Sequence, residues 1–93
     1  MYGINMNCEW DIGKAQGNLK KHRVSFADAV SVFEDSEAIT IEDTEQCEER
    51  FVTIGMDCLG RILVVIYAWR NELSIRMISA RKANKTEIKN YQG

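Results

Sequence analysis

Residues suited to acid–base and phosphate chemistry are concentrated near the start of the chain, in the segment Glu9–Phe26. This segment holds the single histidine of the sequence, His22, together with Lys14, Asn18 and Lys21. In a helix, Lys14, Asn18 and Lys21 would fall at i, i+4 and i+7 and share one face. Packing requires only the apolar face, so contact with an anion or with RNA is one explanation for the polar donors on the other face, and a plain solvated helix face is the alternative.

His22 is the candidate for proton transfer. RNA can be cleaved without a metal when a base takes the 2′-hydroxyl proton, cations stabilise the phosphorane and an acid protonates the leaving 5′-oxygen. Histidine is the residue type best suited to such transfers near neutral pH, and Lys14 and Lys21 nearby favour a role as base. The alternative is a histidine that only hydrogen-bonds the last carbonyls of its helix.

Four arginines are candidates for a phosphate clamp, because guanidinium groups stay charged and match phosphate with two parallel hydrogen bonds. They are Arg50, Arg61, Arg76 and Arg81. Arg76 and Arg81 interrupt an otherwise apolar strand, which favours a functional role. The alternative is an ion pair with the acidic stretch, for instance between Arg81 and Glu48 or Glu49.

Two further residues extend this set. Glu49 immediately precedes Arg50 and could act as general base or orient an arginine, although an acidic run before a strand is also typical of a solvated loop. Trp69, at the end of a predicted strand, could stack against a base. Trp10 could stack as well, but its position next to a helix start favours a hydrophobic staple with Ala15.

The charges are segregated along the chain. The net charge is −2, yet residues 34–49 contain eight acidic residues and no basic one, whereas residues 50–93 contain eight basic and three acidic residues. A chain with this distribution can present a basic face despite its acidic total. The charge balance therefore permits nucleic-acid binding without proving it.

Size and cysteine content narrow the protein class. The 93 residues predict one domain, 1–93, and the apolar run Ile62–Trp69 is too short to cross a bilayer. The three cysteines, Cys8, Cys47 and Cys58, are widely spaced, so a zinc site formed with His22 has no support from spacing. We therefore predict a cytoplasmic protein with reduced cysteines and no metal or cofactor.

The periodicity of the chain predicts an α+β fold. A short strand or extended lead-in at 5–10 precedes helices at 12–21 and 26–34, capped by Asp11 and Ser25. The next segments predict four strands and a closing helix, at 38–42, 49–56, 61–69, 73–81 and 85–91. The expected architecture is two N-terminal helices, a four-stranded antiparallel meander and a C-terminal helix.

Simple hairpin register makes a prediction for the arginines. It places Arg61 near Arg81 at one end of the sheet and Arg76 beside Ile66, nearer the middle. Arg76 and Arg81 differ in parity, so they share a face only if a bulge or the strand end changes the direction of one of them.

A family resemblance rests on several of these residues together. The pattern E-W-D-x-x-K-A-x-x-N-x-x-K-H-x-V-S-F runs from Glu9 to Phe26. It is followed by Glu48-Glu49-Arg50, Ile54-Gly55, Gly60-Arg61 and Arg76-x-Ile78-Ser79-Ala80-Arg81-Lys82-Ala83. In order and spacing, from about Cys8 to Tyr91, this resembles the BrnT family of ribonuclease toxins from bacterial type II toxin–antitoxin systems.

The resemblance implies a RelE-like fold and a metal-independent endoribonuclease that inhibits translation and growth. It also implies RNA as substrate and a ribbon-helix-helix antitoxin, BrnA-like, as partner, with DNA contacted only through that antitoxin. The site residues expected are His22, Arg76, Arg81 and Glu49 for catalysis, and Lys14, Asn18, Lys21, Arg50, Arg61 and Trp69 for RNA binding. The alternative is a non-catalytic module that binds a co-encoded DNA-binding partner.

Overall fold

The computed structural model describes residues 7–43 and 49–93, which form five strands, three α-helices and one 3₁₀ helix. In chain order these are β1 (Asn7–Glu9), α1 (Ile12–His22), α2 (Phe26–Ala29), the 3₁₀ helix (Val30–Glu34), β2 (Ile39–Asp43), β3 (Arg50–Met56), β4 (Ile62–Asn71), β5 (Ser74–Lys82) and α3 (Lys85–Gln92). In this part of the chain, no helix is long and apolar enough to cross a membrane.

The sheet has the strand order β1-β5-β4-β3-β2. Strands β2 to β5 form the antiparallel meander expected from the sequence. The lead-in adds a fifth strand, because β1 pairs in parallel with β5 and the Asn7 N–H donates to the Leu73 carbonyl at 2.7 Å. The prediction of four antiparallel strands is therefore corrected to a five-stranded mixed sheet, in which β1 covers an edge that would otherwise be unpaired.

The first helix begins as predicted, because the Asp11 carboxylate accepts from Lys14 N at 2.9 Å. It ends at His22, one residue later than predicted, where Arg23 adopts the left-handed conformation (φ 61°). The helix predicted at 26–34 is instead split. Ser25 caps α2, and the chain then tightens into the 3₁₀ helix from Val30. The β-branched residues Val30 and Val32 disfavour continuation of a regular α-helix.

The main core lies between α1, α2, the 3₁₀ helix and one face of the sheet, which we call the first face. From the helical side, Phe26, Ala29 and Val32 are buried in it. The strands contribute Leu63, Val65, Tyr67, Ile75, Met77 and Ala80. Below this layer the Thr53 hydroxyl bonds to those of Tyr67 and Thr40, both at 2.8 Å, so the buried polar groups are paired.

The opposite face of the sheet, the second face, is covered only in part. Residues Val64 and Ile54 alternate with core residues, point to this face and are buried. Helix α3 packs against β3 and is held by its Tyr91 hydroxyl, which donates to Asp35 at 2.6 Å. Away from α3 the second face is open, as shown by Ile41, which is 56% exposed.

Candidate nucleic-acid interface

A bulge in β5 decides where two of the candidate arginines point. Strand β4 pairs Ile66 with Ser79 but Tyr67 with Met77, so Ile78 is the extra residue. Arg76 lies between the core residues Ile75 and Met77, and therefore points to the second face. Arg81 pairs with Val64, which also faces away from the core. The bulge that would let the two arginines share a face is present, and both lie on the second face.

The register itself differs from the simple prediction. Strand β4 continues to Asn71, and the turn consists of Glu72 and Leu73. Arg76 consequently lies opposite Ala68 rather than Ile66. The sequence suggested an earlier turn, but the Asn71 side chain accepts from Leu73 N at 2.9 Å and favours the later one.

The same geometry brings Arg50 and Arg76 together. Phe51 pairs with Tyr67, so the next residues along β3 and β4 are Arg50 and Ala68. Phe51 packs against the core, which directs Arg50 to the second face. The two arginines thus flank Ala68 from the neighbouring strands, with their Cα atoms about 10 Å apart, or two strand spacings. Two long side chains across a small alanine can converge on one phosphate. We call them the arginine pair.

A carboxylate lies at each end of this row. In the register of the sheet, Glu9 of β1 is beside Arg76, and Asp43 of β2 is beside Arg50. Glu9 is also 3.7 Å from the guanidinium of Arg70. Sequence reasoning missed both acids, because the lead-in had no assigned partner strand and β2 was predicted to end one residue earlier.

Arg81 is bound to α3. Its guanidinium donates two bonds of 2.8 Å to the two carboxylate oxygens of Glu87. The hydrogen bond to Glu87 raises the pKa of Arg81, and the same bond lowers the pKa of the Glu87 carboxyl below its usual value. The ion-pair alternative considered for Arg81 is therefore realised, with Glu87 as partner instead of Glu49; Glu48 lies outside the described residues. This contact argues for a structural role in place of the predicted catalytic one.

Arg61 is likewise committed within the fold. It bonds to the buried carboxylate of Asp57 at 2.7 and 3.0 Å and to the Arg23 carbonyl at 3.4 Å. Burial alone would raise the pKa of Asp57, but the hydrogen bonds from the Arg61 side chain and backbone outweigh burial and lower it. As predicted, Arg61 and Arg81 lie at the same end of the sheet, where β4 begins and β5 ends. Arg61 also ties the β3–β4 hairpin to the end of α1, and its RNA contact stays a prediction.

Asn18 also makes structural contacts within the fold, and its RNA contact stays a prediction. It is only 8% exposed, and its amide nitrogen donates to the carbonyls of Val24 (2.9 Å) and Ala80 (2.8 Å). Its oxygen accepts from Ala80 N at 3.1 Å. With three bonds to buried backbone groups, the side chain has no donor directed to solvent for a phosphate.

The remaining candidates lie on the helical side of the sheet. Lys14 and Lys21 are exposed on α1 and His22 is half-buried at its end. Trp69 pairs with the core residue Ile75 and is partly exposed beside Tyr67, with the ring centroids 6.4 Å apart. The sheet therefore separates this group from the arginine pair.

Glu49 is exposed and directly precedes Arg50. It is the one predicted catalytic acid close to the arginine pair in sequence. Among the residues described, no three His, Cys, Asp or Glu side chains form a cluster suited to a metal ion, and Cys47 lies outside them.

Comparisons with known proteins support the resemblance predicted from the sequence. A family model described as the ribonuclease toxin BrnT of type II toxin–antitoxin systems matches residues 10–87. The crystal structure of the Brucella abortus ribonuclease toxin BrnT superposes with a TM-score of 0.66 at 26% sequence identity, covering 86% of this chain and 99% of that one. A comparison with curated proteins gave no significant match.

Proposed function

This chain belongs to the BrnT family of ribonuclease toxins of type II toxin–antitoxin systems, and we propose that it cleaves RNA internally, without a metal ion, at the arginine pair. The observation that carries the proposal is the row formed by Glu9, Arg76, Ala68, Arg50 and Asp43 across the open part of the second face. It places two cations on the two strands beside β4, with a carboxylate beside each of them.

The proposed reaction is attack of a ribose 2′-oxygen on the adjacent phosphorus. A base removes the hydroxyl proton, the bond between phosphorus and the 5′-oxygen breaks, and the leaving 5′-oxygen takes up a proton from water, so the products are a 2′,3′-cyclic phosphate and a 5′-hydroxyl. The phosphorane carries more negative charge on its oxygens than the diester does. Arg76 and Arg50 would stabilise that charge with fixed guanidinium groups, a contribution worth roughly 10²–10³ in rate for one well-placed donor.

We assign the base to a carboxylate beside the arginine pair. Glu9 is the neighbour of Arg76 on β1 and is half-exposed, so a ribose hydroxyl could reach it. Glu49 is the second candidate, from the position that precedes Arg50. His22 lies on the other side of the sheet, and its predicted role as base at this phosphate is not supported by that placement.

Other exposed residues extend the proposed RNA contact beyond the cleaved bond. Lys14 and Lys21 can neutralise neighbouring phosphates, and Trp69 can stack against a base. The partner proposed for the toxin is a ribbon-helix-helix antitoxin that supplies the contact with operator DNA. The acidic total charge is consistent with a chain that does not bind DNA by itself.

The test is cleavage of 5′-labelled RNA by the purified, antitoxin-free chain in excess EDTA. We expect 2′,3′-cyclic phosphate ends from the parent and a rate about 10²–10³-fold lower for Arg76→Ala. Glu9→Gln should also cleave slowly, whereas His22→Ala should stay close to the parent. Lys89→Ala, which removes an exposed cation from α3, is the matched control and should cleave normally.

The other outcomes are distinct. Loss of cleavage in His22→Ala with a normal Arg76→Ala would move the site to the end of α1. Intact RNA with every protein would favour the non-catalytic interaction module. Equal cleavage by all variants would indicate a contaminating nuclease.

A further inference from the structure

Helix α1 exposes two large apolar side chains. Ile12 is 71% and Leu19 48% exposed, whereas Ala15 packs against the core. The reason is that Asn18 occupies the position facing the sheet and bonds to Val24 and Ala80. Ile12, Ala15 and Leu19 are spaced at i, i+3 and i+7, which aligns them in one apolar stripe along the helix.

The stripe forms one wall of a groove. Trp10, Phe26 and Ala27 complete it on the side of α2, and the groove has a volume of about 210 Å³. The groove is shallow and apolar. Because the residues on its α1 wall are spaced along a helix, a second helix could pack against them lengthwise. We call it the α1–α2 groove.

The charges around the groove select the kind of helix. From Ile12 to Arg23 the chain carries four basic residues and no acidic one. Among these, Lys20 follows Leu19 directly and Arg23 lies one turn beyond it, so both are beside the apolar stripe. A second copy of this chain would bring like charges together, which disfavours a symmetric pairing through α1. An apolar helix bordered by acidic residues would be matched in both shape and charge.

We propose that the α1–α2 groove binds an acidic amphipathic helix of the antitoxin. This inference rests on the proposed function for the identity of the partner, but the groove lies on the side of the sheet away from the arginine pair. Binding there anchors the partner and covers the basic surface of α1. It does not require any residue of the row that we assign to cleavage.

The test uses the full chain and a fluorescein-labelled synthetic helix with leucines at i, i+3, i+4 and i+7 and glutamates elsewhere. Its binding is followed by fluorescence anisotropy, with a second peptide that carries lysine in place of every glutamate. We expect saturable binding of the glutamate peptide alone. The double variant Ile12→Ser, Leu19→Ser should bind at least tenfold more weakly.

Charge reversal provides a readout that misfolding cannot imitate. In Lys20→Glu, Arg23→Glu the preference should change to the lysine peptide. Ile41→Ser removes an equally exposed side chain from the second face and should bind within about twofold of the parent. No saturable binding, unchanged binding by Ile12→Ser, Leu19→Ser, or an equal loss in Ile41→Ser would overturn the proposal.

Failure of this proposal can be told apart from failure of the proposed function. Ile12→Ser, Leu19→Ser should cleave RNA as the parent does, because neither residue belongs to the row on the second face. Peptide binding without RNA cleavage by the parent would support the groove as a binding site and contradict the ribonuclease assignment. RNA cleavage without peptide binding would support the ribonuclease assignment and contradict the proposal for the groove.

Discussion

At the scale of single residues, one buried amide sets the orientation of α1. A helix with Ile12, Ala15 and Leu19 on one side would ordinarily turn that side inward. Here Asn18 is directed inward, and its amide joins α1 to Ala80 of β5 through two hydrogen bonds and to the Val24 carbonyl through a third. Such bonds stabilise the fold because the buried backbone groups of Val24 and Ala80 would otherwise be unpaired.

Replacing Asn18 with alanine should therefore destabilise the protein by about 3 kcal/mol, since unsatisfied buried groups cost roughly 1–3 kcal/mol each. Urea unfolding followed by circular dichroism measures the change. Gln16→Ala, an exposed amide on the same helix, is the matched control and should have little effect. RNA cleavage per folded molecule should be unchanged in Asn18→Ala. A selective loss of cleavage at full stability would return Asn18 to the RNA-binding set.

The residue types at the site could be predicted from the sequence, but their grouping could not. Arg50 and Arg76 were both candidates, yet their approach across Ala68 depends on the register of two hairpins. Arg61 and Arg81 have the same chemical character and are paired instead with Asp57 and Glu87. An ion pair between an arginine and a carboxylate depends on how the chain folds, so no local sequence pattern predicts it.

At the scale of elements, local patterns fixed the caps and hairpins better than the edges of the sheet. Asp11 and Ser25 cap the helices where expected, because capping depends on only a few consecutive residues. Strand β1 is three residues long and pairs with β5, which is far away in sequence. The parity of the arginines required a bulge or a change of direction at the strand end, but the position of the bulge at Ile78 follows from packing in the finished sheet.

Two glycines in different elements should respond to alanine with opposite signs. In α1, a Cβ at Gly17 would meet nothing within 4 Å, so Gly17→Ala should stabilise the protein by up to about 1 kcal/mol. At Gly55 of β3, a Cβ would lie 3.1 Å from the Ala38 Cβ and 3.2 Å from the Val32 Cβ. Gly55→Ala should therefore destabilise by about 1–3 kcal/mol through overpacking.

Thermal unfolding of the two glycine variants beside the parent tests this contrast. The same chemical change is made in both, so each serves as the control for the other. A stabilised Gly55→Ala would mean that β2 and the 3₁₀ helix separate easily from β3, and that this side of the core is less tightly packed than the contacts indicate.

At the scale of the whole molecule, three carboxylates hold neighbouring segments of the chain together through hydrogen bonds. Asp35 accepts from Met56 N of β3 and from the Tyr91 hydroxyl of α3, Asp57 binds Arg61, and Glu87 binds Arg81. The backbone bond from Met56, followed by the bond from Tyr91, lowers the pKa of Asp35. All three carboxyls thus have a pKa below the ordinary value, which is 3.8 for Asp35 and Asp57 and 4.5 for Glu87.

The sign of the acid effect follows from these shifts. When the pH falls toward their ordinary pKa values, the carboxyls bind protons more readily in the unfolded chain than in the folded one. Their contribution to stability is therefore fully present above about 4.5 and is lost as the pH falls below 3.8 through the lower folded values. Glu87→Gln should unfold with a shallower dependence of the unfolding free energy on pH over this range.

Stability at alkaline pH depends on the hydrogen bond between Tyr91 and Asp35. The hydrogen bond to Asp35 raises the pKa of Tyr91 from 10.0 to about 12, so its contribution is complete below 10.0 and is lost as the pH rises through about 12. The free energy of unfolding, measured with urea across both pH ranges, should fall less at alkaline pH in Tyr91→Phe than in the parent. At acid pH the variant should still lose the contributions of Asp57 and Glu87. A parent whose stability is flat from 10.0 to about 12 would mean that α3 is held without this hydrogen bond, by the Arg81–Glu87 pair and its apolar contacts.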